Sequence, residues 1–278
     1  MNAFLRTAAV AMVSVWGIAT GFSAEINEQT PNPKEVRVVP VDPTPEPEHV
    51  TTKILFPQNG EIKSSQPIKG QIRVDGYSLG TDSDFLRKKE IYNDNEGQAF
   101  HIFIDNQPYF AVNEALLNAL DDVEEYFDQT AEFEIPFKVQ PGMHVIRVFP
   151  VRSFNESLKD DGCFAASIFY YKKKVDNPQI DLSLPYLTYN EPQGEYAYND
   201  GEPILLDFYI TNCRLSRDGY KVRLTIDGAI QRTLTAWQPY YLYGLKKGVH
   251  KIRLELLDQT NKPVSGLFND VQRTIVIK

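Results

Sequence analysis

Pro141-Gly142-Met143-His144-Val145-Ile146-Arg147-Val148 is written a second time, later in the chain, as Lys247-Gly248-Val249-His250-Lys251-Ile252-Arg253-Leu254. Both stretches keep a glycine at the turn, a histidine two residues on, and Ile-Arg followed by Val or Leu. Apolar residues alternating after a turn glycine mark a β-strand entered from a tight turn. The same pattern twice points to one structural unit used twice. Working outward, the strand that begins at Pro67-Ile68 is matched by one at Pro203-Ile204, and Ile104-Asp105-Asn106 is matched by Ile226-Asp227-Gly228. The second pair puts Ile-Asp and a turn former at a hairpin in each copy.

A chain of 278 residues holds two such copies, each with a core of its own. The hydrophobic fraction of 42% is that of a folded protein, and a formal charge of -8 excludes a general phosphate-backbone binder, so nucleic acid is set aside. The 15 tyrosines and 16 phenylalanines fit half-buried pleated sheet.

The first 24 residues read as a secretory signal peptide. Arg6 closes a short basic region, the apolar run 7–18 follows, and Gly21, Ser23 and Ala24 supply a cleavage zone. The run is short for a membrane span, and an uncleaved N-terminal anchor is the alternative. The expectation is an exported protein, periplasmic or extracellular, with no membrane span after cleavage. Residues 25–50 are rich in proline and polar groups and read as a disordered tether.

The first copy is expected over 51–175 and the second over 176–278. The first carries two additions: an irregular polar loop at 76–97, and an amphipathic helix over 114–127, capped by Asn113, with Leu116, Leu117, Leu120, Val123 and Phe127 on one side. Roughly six to eight short strands per copy, separated by turn signals, make an all-β fold of two tandem antiparallel sandwiches.

The run from an Ile-Asp-Gly turn through a strand to Gly-x-His-x-Ile-x-Leu with a following Leu-Asp, as in 248–258, resembles the later strands of bacterial immunoglobulin-like and fibronectin-type-III-like modules. The resemblance covers both halves and is weaker in the first, with its loop and helix. It implies antiparallel sandwiches of the kind used in exported proteins as spacer, adhesion or carbohydrate-associated modules, and it implies no active site.

His144 and His250 lie on the apolar side of their strands near the turn, where a ring can pack and satisfy a backbone group. Each copy supplies one histidine, short of the three or four ligands zinc needs. Arg147 and Arg253 point to the opposite face, where an exposed ion pair is expected. Cys163 and Cys213 fall in different copies, so a disulfide would have to join the two domains, and two buried thiols are the alternative. Aromatics of the second copy invite a sugar-stacking platform of Trp237, Tyr240, Tyr196 and Tyr198. Aligning 239–245 with 133–139 sets Tyr240 opposite Glu134 and turns it outward, and puts Tyr241 and Tyr243 in the core.

Asp82, Asp84 and residues 93–97 are rich in oxygen donors, but their spacing is not that of an EF-hand. Ser157, Ser167 and Ser265 lack a nucleophile-elbow context. No catalytic residue, metal site or cofactor is expected. The acidic residues Asp121, Asp122, Glu124, Glu125 and Asp128 of the expected helix are the candidate partner surface, since insertions on a repeated scaffold gather function. The reading is an exported, non-catalytic binding or structural protein of the cell envelope whose partner is an envelope protein or a glycan. A carbohydrate-binding module protein and the accessory domains of an enzyme-like envelope protein are the alternatives.

Overall fold

A computed structural model describes residues 36–116 and 128–278. Its strands form four sheets, which pair into two β-sandwiches. The first is built from β2 (Thr51–Phe56), β3 (Glu61–Lys63), β4 (Lys69–Asp75), β5 (Ala99–Ile104), β6 (Phe110–Val112), β7 (Asp128–Glu134), β8 (Gly142–Val151) and β9 (Ala165–Tyr171). The second uses β10 (Tyr186–Glu191), β11 (Gly194–Tyr196), β12 (Ile204–Thr211), β13 (Lys221–Ile226), β14 (Ile230–Leu234), β15 (Tyr240–Tyr243), β16 (Gly248–Leu257) and β17 (Asp270–Ile277). It also takes β1 (Arg37–Pro40) from the start of the described chain.

The topology is duplicated strand for strand. The first sandwich has sheets β2-β4-β7 and β3-β9-β8-β5-β6; the second has β10-β12-β15, extended by β1, and β11-β17-β16-β13-β14. In each copy the opening strand leaves one sheet and re-forms in the other, between β2 and β3 and between β10 and β11. Pro57 and Pro192 stand at those crossings, and a residue without an N–H cannot continue a ladder. Each sandwich fills its own core, with Ile72, Phe100, Ile102, Ile146, Val148 and Phe169 in the first. Leu206, Phe208, Leu224, Ile252, Leu254 and Ile275 do so in the second.

The repeated motif is a hydrogen-bonded corner. Asp105, at φ 52°, accepts from His144 Nδ1 (2.7 Å) and from the Val145 amide (2.9 Å), and its own amide donates to the Val145 carbonyl (2.8 Å). Asp227, at φ 53°, makes the same three bonds with His250 (2.7 Å) and Lys251 (2.8 and 2.9 Å). The second ring nitrogen meets the Gln140 carbonyl at 2.6 Å in one copy and the Lys246 carbonyl at 2.7 Å in the other. Gly142 and Gly248 enter their strands at φ 142° and 137°, a region that disfavours a side chain. The histidine and the Ile-Asp turn, separate features of the sequence, are therefore two halves of one device.

The expected helix and the expected disordered tether are corrected where they are described, and the acidic surface falls mostly outside the described residues. Asn113–Leu116 are not helical, and the Leu116 amide donates to the Thr130 carbonyl on β7 at 2.6 Å. The rest of the expected helix, 117–127, lies outside the described residues, and the described residues contain one helical turn, Leu86–Lys89. Of the acidic partner surface, Asp121, Asp122, Glu124 and Glu125 lie outside the described residues, and Asp128 opens β7 opposite Asp75. The tether is ordered over 36–50, where Arg37–Pro40 pairs antiparallel with β15, because Val36 and Val38 have the second core to pack against. The expected signal peptide also lies outside the described residues.

Burial works against a charged His144 ring, but the Asp105 carboxylate and the Gln140 carbonyl outweigh it, raising the pKa above 6.5. A raised folded-state pKa contributes stability that is complete below the unfolded value and lost as pH climbs through the folded one. The unfolding free-energy gap between wild type and Asp105→Asn should thus be widest near about pH 6 and shrink toward about pH 9. Urea titrations across that range check it, and a gap independent of pH would refute the imidazolium–carboxylate pairing.

Candidate functional site

The most heavily buried polar groups lie between the two sandwiches, where two sheets meet through their outer faces. Along β8, His144, Ile146 and Val148 turn into the first sandwich. Val145, Arg147, Phe149 and Val151 turn out of it and are nonetheless buried. From the other side come Tyr186 on β10, Leu205 and Tyr209 on β12, and Tyr241 on β15. The Tyr209 ring stacks on Phe149 (5.1 Å between centroids) and Phe164 (4.9 Å), with Trp237 edge-on at 4.8 Å. The result is four layers of sheet, and the span Pro33–Lys278 forms one compact unit.

Arg147 is fully enclosed in this seam. Its guanidinium donates to the Asp105 carbonyl (2.5 Å) in the first sandwich and to Thr188 Oγ1 (2.8 Å) and the Leu187 carbonyl (3.2 Å) in the second. The Phe268 ring lies 3.8 Å away. Burial lowers its pKa to about 9, which leaves it charged at neutral pH. The sequence places Arg147 in an exposed ion pair, which the structure overturns. Arg253 does make one, with Asp270 at 2.6 Å, because the outer face of β16 meets water.

Asp207 is the second fastener. It accepts from Lys159 Nζ (2.5 Å) and Ser157 Oγ (2.7 Å) of the first sandwich and from Asn190 Nδ2 (2.8 Å) of the neighbouring β10, so groups of both sandwiches converge on a carboxylate of β12. Asn190 Nδ2 also donates to the Asn155 carbonyl, leaving Oδ1 to accept from His101 Nδ1 at 2.7 Å. His101 is thus held as the neutral Nδ1–H tautomer, and burial lowers its pKa to about 3. Its ring stacks on Tyr109 at 3.5 Å. Glu191, at the end of β10, accepts from Tyr109, from Tyr196 (2.5 Å) and from the Gln193 amide (3.1 Å). Burial raises it to about 7 against those three donors. A cavity of about 80 Å³ abuts this knot, lined in part by Tyr92, Asn155 and Glu202.

The loop at 76–97 braces the seam. Ile91 and Phe85 pack with Leu205 and Tyr241, and Tyr241 donates to Glu90 at 2.8 Å. Its Arg87 reaches Glu156 and the Asp42 carbonyl, while Thr44 donates to Glu156 from its amide (2.9 Å) and its hydroxyl (2.7 Å). Residues 42–46 are thereby tied to the first sandwich just after β1 has joined the second. Two of the loop's carboxylates share an ammonium group: Lys88 Nζ sits between Asp82 (2.7 Å) and Asp84 (3.2 Å). Among the described residues no group of three or more His, Cys, Asp and Glu could hold a metal ion.

The expected platform is dispersed. Trp237 packs in the seam and donates to the Phe208 carbonyl at 2.9 Å, and Tyr196 is bound into the Glu191 knot. Tyr240 is 5% exposed, inside the second core. Its outward placement fails by one residue of register. Gly70 on β4 faces Phe133 and Leu206 on β12 faces Tyr240, so Tyr240 is the counterpart of Phe133, not Glu134. A slip of one residue exchanges the faces of a strand. Tyr241 takes the outward position and is buried by the seam. Tyr198 alone of the four is exposed, its hydroxyl 3.3 Å from Asp200.

Cys163 and Cys213 are both free thiols. Each packs against its own sandwich's core, so the interdomain disulfide is overturned. Burial raises Cys163 to about 12 and Cys213 to about 11.

The signal for the seam was present in the sequence. Copy one reads apolar on both faces of β8, whereas copy two alternates, with Lys251, Arg253 and Glu255 outward. A strand apolar on both faces is covered on both.

No protein-family model and no curated protein matches the chain. The solved structures it resembles are fibronectin-III-like and immunoglobulin-like β-sandwich modules. They include the fibronectin(III)-like modules of Clostridium thermocellum CbhA, at 13% identity over 82% of this chain and 94% of that one, with a TM-score of 0.28. The FN1-FN3 domains of chicken CNTN1 are similar at 11% identity over 83% and 65%, TM-score 0.21. Bacteroides ovatus SGBP-B, solved with a mixed-linkage heptasaccharide, is similar at 11% identity over 88% and 64%, TM-score 0.22.

Glu156 is 1% exposed and Arg87 is its charged partner. Removing one member of a buried pair leaves an uncompensated charge, so Arg87→Ala should cost about 3 to 5 kcal/mol, measured by denaturant unfolding. The double variant Arg87→Met with Glu156→Gln should recover much of that loss. Both thiols should resist a thiol reagent until the protein unfolds, and reductant should leave the melting temperature unchanged.

Proposed function

We propose that the protein is an exported, non-catalytic binding or structural protein of the cell envelope whose two sandwiches act as one rigid block. The seam carries this reading. A large apolar interface suppresses relative domain motion, and here Arg147 and Asp207 each join groups from both sandwiches. Such a block presents its outer loops at fixed separation, which suits recognition or bracing of a partner. Support for the absence of catalysis comes from the same groups. Ser157, Lys159 and Asp207 have the composition of reactive chemistry, but they saturate one another, with Ser157 and Asp207 buried. Support for export is the basic, apolar and small-residue order of the first 24 residues.

Cell fractionation with N-terminal sequencing tests the location: a mature chain in the envelope or medium, cut within the zone 21–24, is expected, and an untrimmed cytoplasmic chain would refute export. Calorimetry tests the block, for which one unfolding transition is expected. Asp207→Ala strands Lys159 in the seam and should lower stability by about 3 kcal/mol or more. Two separate transitions in the wild-type protein would refute rigid coupling.

A further inference from the structure

A cleft of about 500 Å³ opens at the end of the second sandwich, lined by Arg37, Tyr198, Asp200, Glu202, Tyr243 and Lys246 among others. This volume is in the range of small-ligand sites. Three stretches far apart in the chain build it. Arg37 comes from β1, Tyr198, Asp200 and Glu202 from the loop after β11, and Tyr243 and Lys246 from the end of β15 and the turn beyond.

Register fixes the floor. Arg37 lies directly opposite Tyr243 across the β1–β15 ladder, and its guanidinium sits 4.7 Å from the centre of that ring. The stack orients Arg37, whose Nε is buried and donates to no described group. The wall is tied down as well. The Tyr198 amide donates to the Lys278 carbonyl at 2.8 Å, the Glu202 amide to the Asn199 carbonyl at 3.2 Å, and Asn199 Nδ2 to Glu202 at 2.5 Å. The exposed Tyr198 ring therefore stands on an anchored loop beside two carboxylates.

Flat rings receive the C–H faces of pyranose sugars, carboxylates accept from their hydroxyls, and guanidinium and ammonium groups donate to their oxygens. Arg37 and Lys246, with Lys247 Nζ 5.5 Å from the centre of the Tyr198 ring, face Asp200 and Glu202, so the cleft offers donors and acceptors side by side, suited to hydroxyl groups that both donate and accept. From this lining we propose that the cleft binds a neutral oligosaccharide, with Tyr198 stacking on a sugar ring and Arg37, Asp200 and Glu202 taking its hydroxyls. The site deepens the binding reading above and does not depend on the rigidity of the seam.

The test uses the whole chain. Cellohexaose, maltohexaose, xylohexaose and mannohexaose are titrated by calorimetry and by NMR at up to about 10 mM, enough to fill a millimolar site. An oligogalacturonate serves as the acidic counter-probe. At least one neutral hexasaccharide should bind and shift the signals of Tyr198 and Tyr243. Tyr198→Ala and Glu202→Gln lie on the exposed loop and should each weaken binding about tenfold, with the melting temperature unchanged. Arg37→Met should do the same, and since it could loosen β1, the two loop variants decide the matter. The proposal is overturned by silence across the neutral panel, by binding that survives Tyr198→Ala and Glu202→Gln, or by preference for the oligogalacturonate. Any of these leaves a single unfolding transition intact, so failure of the site is distinguishable from failure of the rigid block.

Discussion

Two sheet faces, each too apolar to meet water, are buried against each other, and the arrangement of the molecule depends on that burial. The outer faces of the β8 sheet and the β12 sheet contribute Phe149, Val151, Tyr186, Leu205 and Tyr209 to a shared interior. Once they are stacked, everything near their edges is drawn in: the loop at 76–97 covers Leu205 and Tyr241, and the segment 42–46 closes over Arg87 and Glu156. Each sandwich's own core is ordinary for its class. The distinctive part of the protein is the layer between them.

That layer is not uniformly apolar, and its polar groups act by direction. Apolar faces can slide or rotate over one another at little cost, whereas Arg147 has acceptors in both sandwiches at 2.5 and 2.8 Å. Asp207 collects donors from Ser157, Lys159 and Asn190 in the same way. An alternative docking angle would strand those charges out of water, a penalty of several kcal/mol apiece. The hydrophobic area supplies attraction, and the buried charges select one register from the many that area alone would permit. The same commitment ties up Ser157, Lys159 and Asp207 in bonds to one another.

Much of this was legible in the residues. The repeated Gly-x-His-x-Ile-Arg and the Ile-Asp turns mark equivalent strands, and the duplicated sheet order follows them. The sequence also held more than its pattern revealed: Asp105 with His144, and Asp227 with His250, are partners separated by a hairpin, and spacing along the chain does not report such pairing. Tyr240 failed for a different reason. The turn after β15 is shorter than its counterpart, so an alignment anchored at Leu245 and Val139 arrives one residue out of step and exchanges the faces. Arg147 and Arg253 occupy identical motif positions with opposite surroundings, because what covers a sheet is decided by a distant element. The cleft by Tyr243 was illegible for the same reason, since Arg37 reaches it only through pairing across most of the chain's length.

The pairing of Arg37–Pro40 with β15 bears on how the chain is made. During synthesis β1 emerges first among the described strands and its partner roughly two hundred residues later. The first sandwich holds all its own strands and can close while the second is still being extended, whereas the sheet β10-β12-β15 stays open at one edge until Tyr240–Tyr243 arrives. An open edge is a place for wrong partners to pair, and contacts of such long sequence separation are slow to form. The earliest described strand thus waits for a partner that lies far along the chain: a truncated product lacking β15 leaves β1 without a sheet to join.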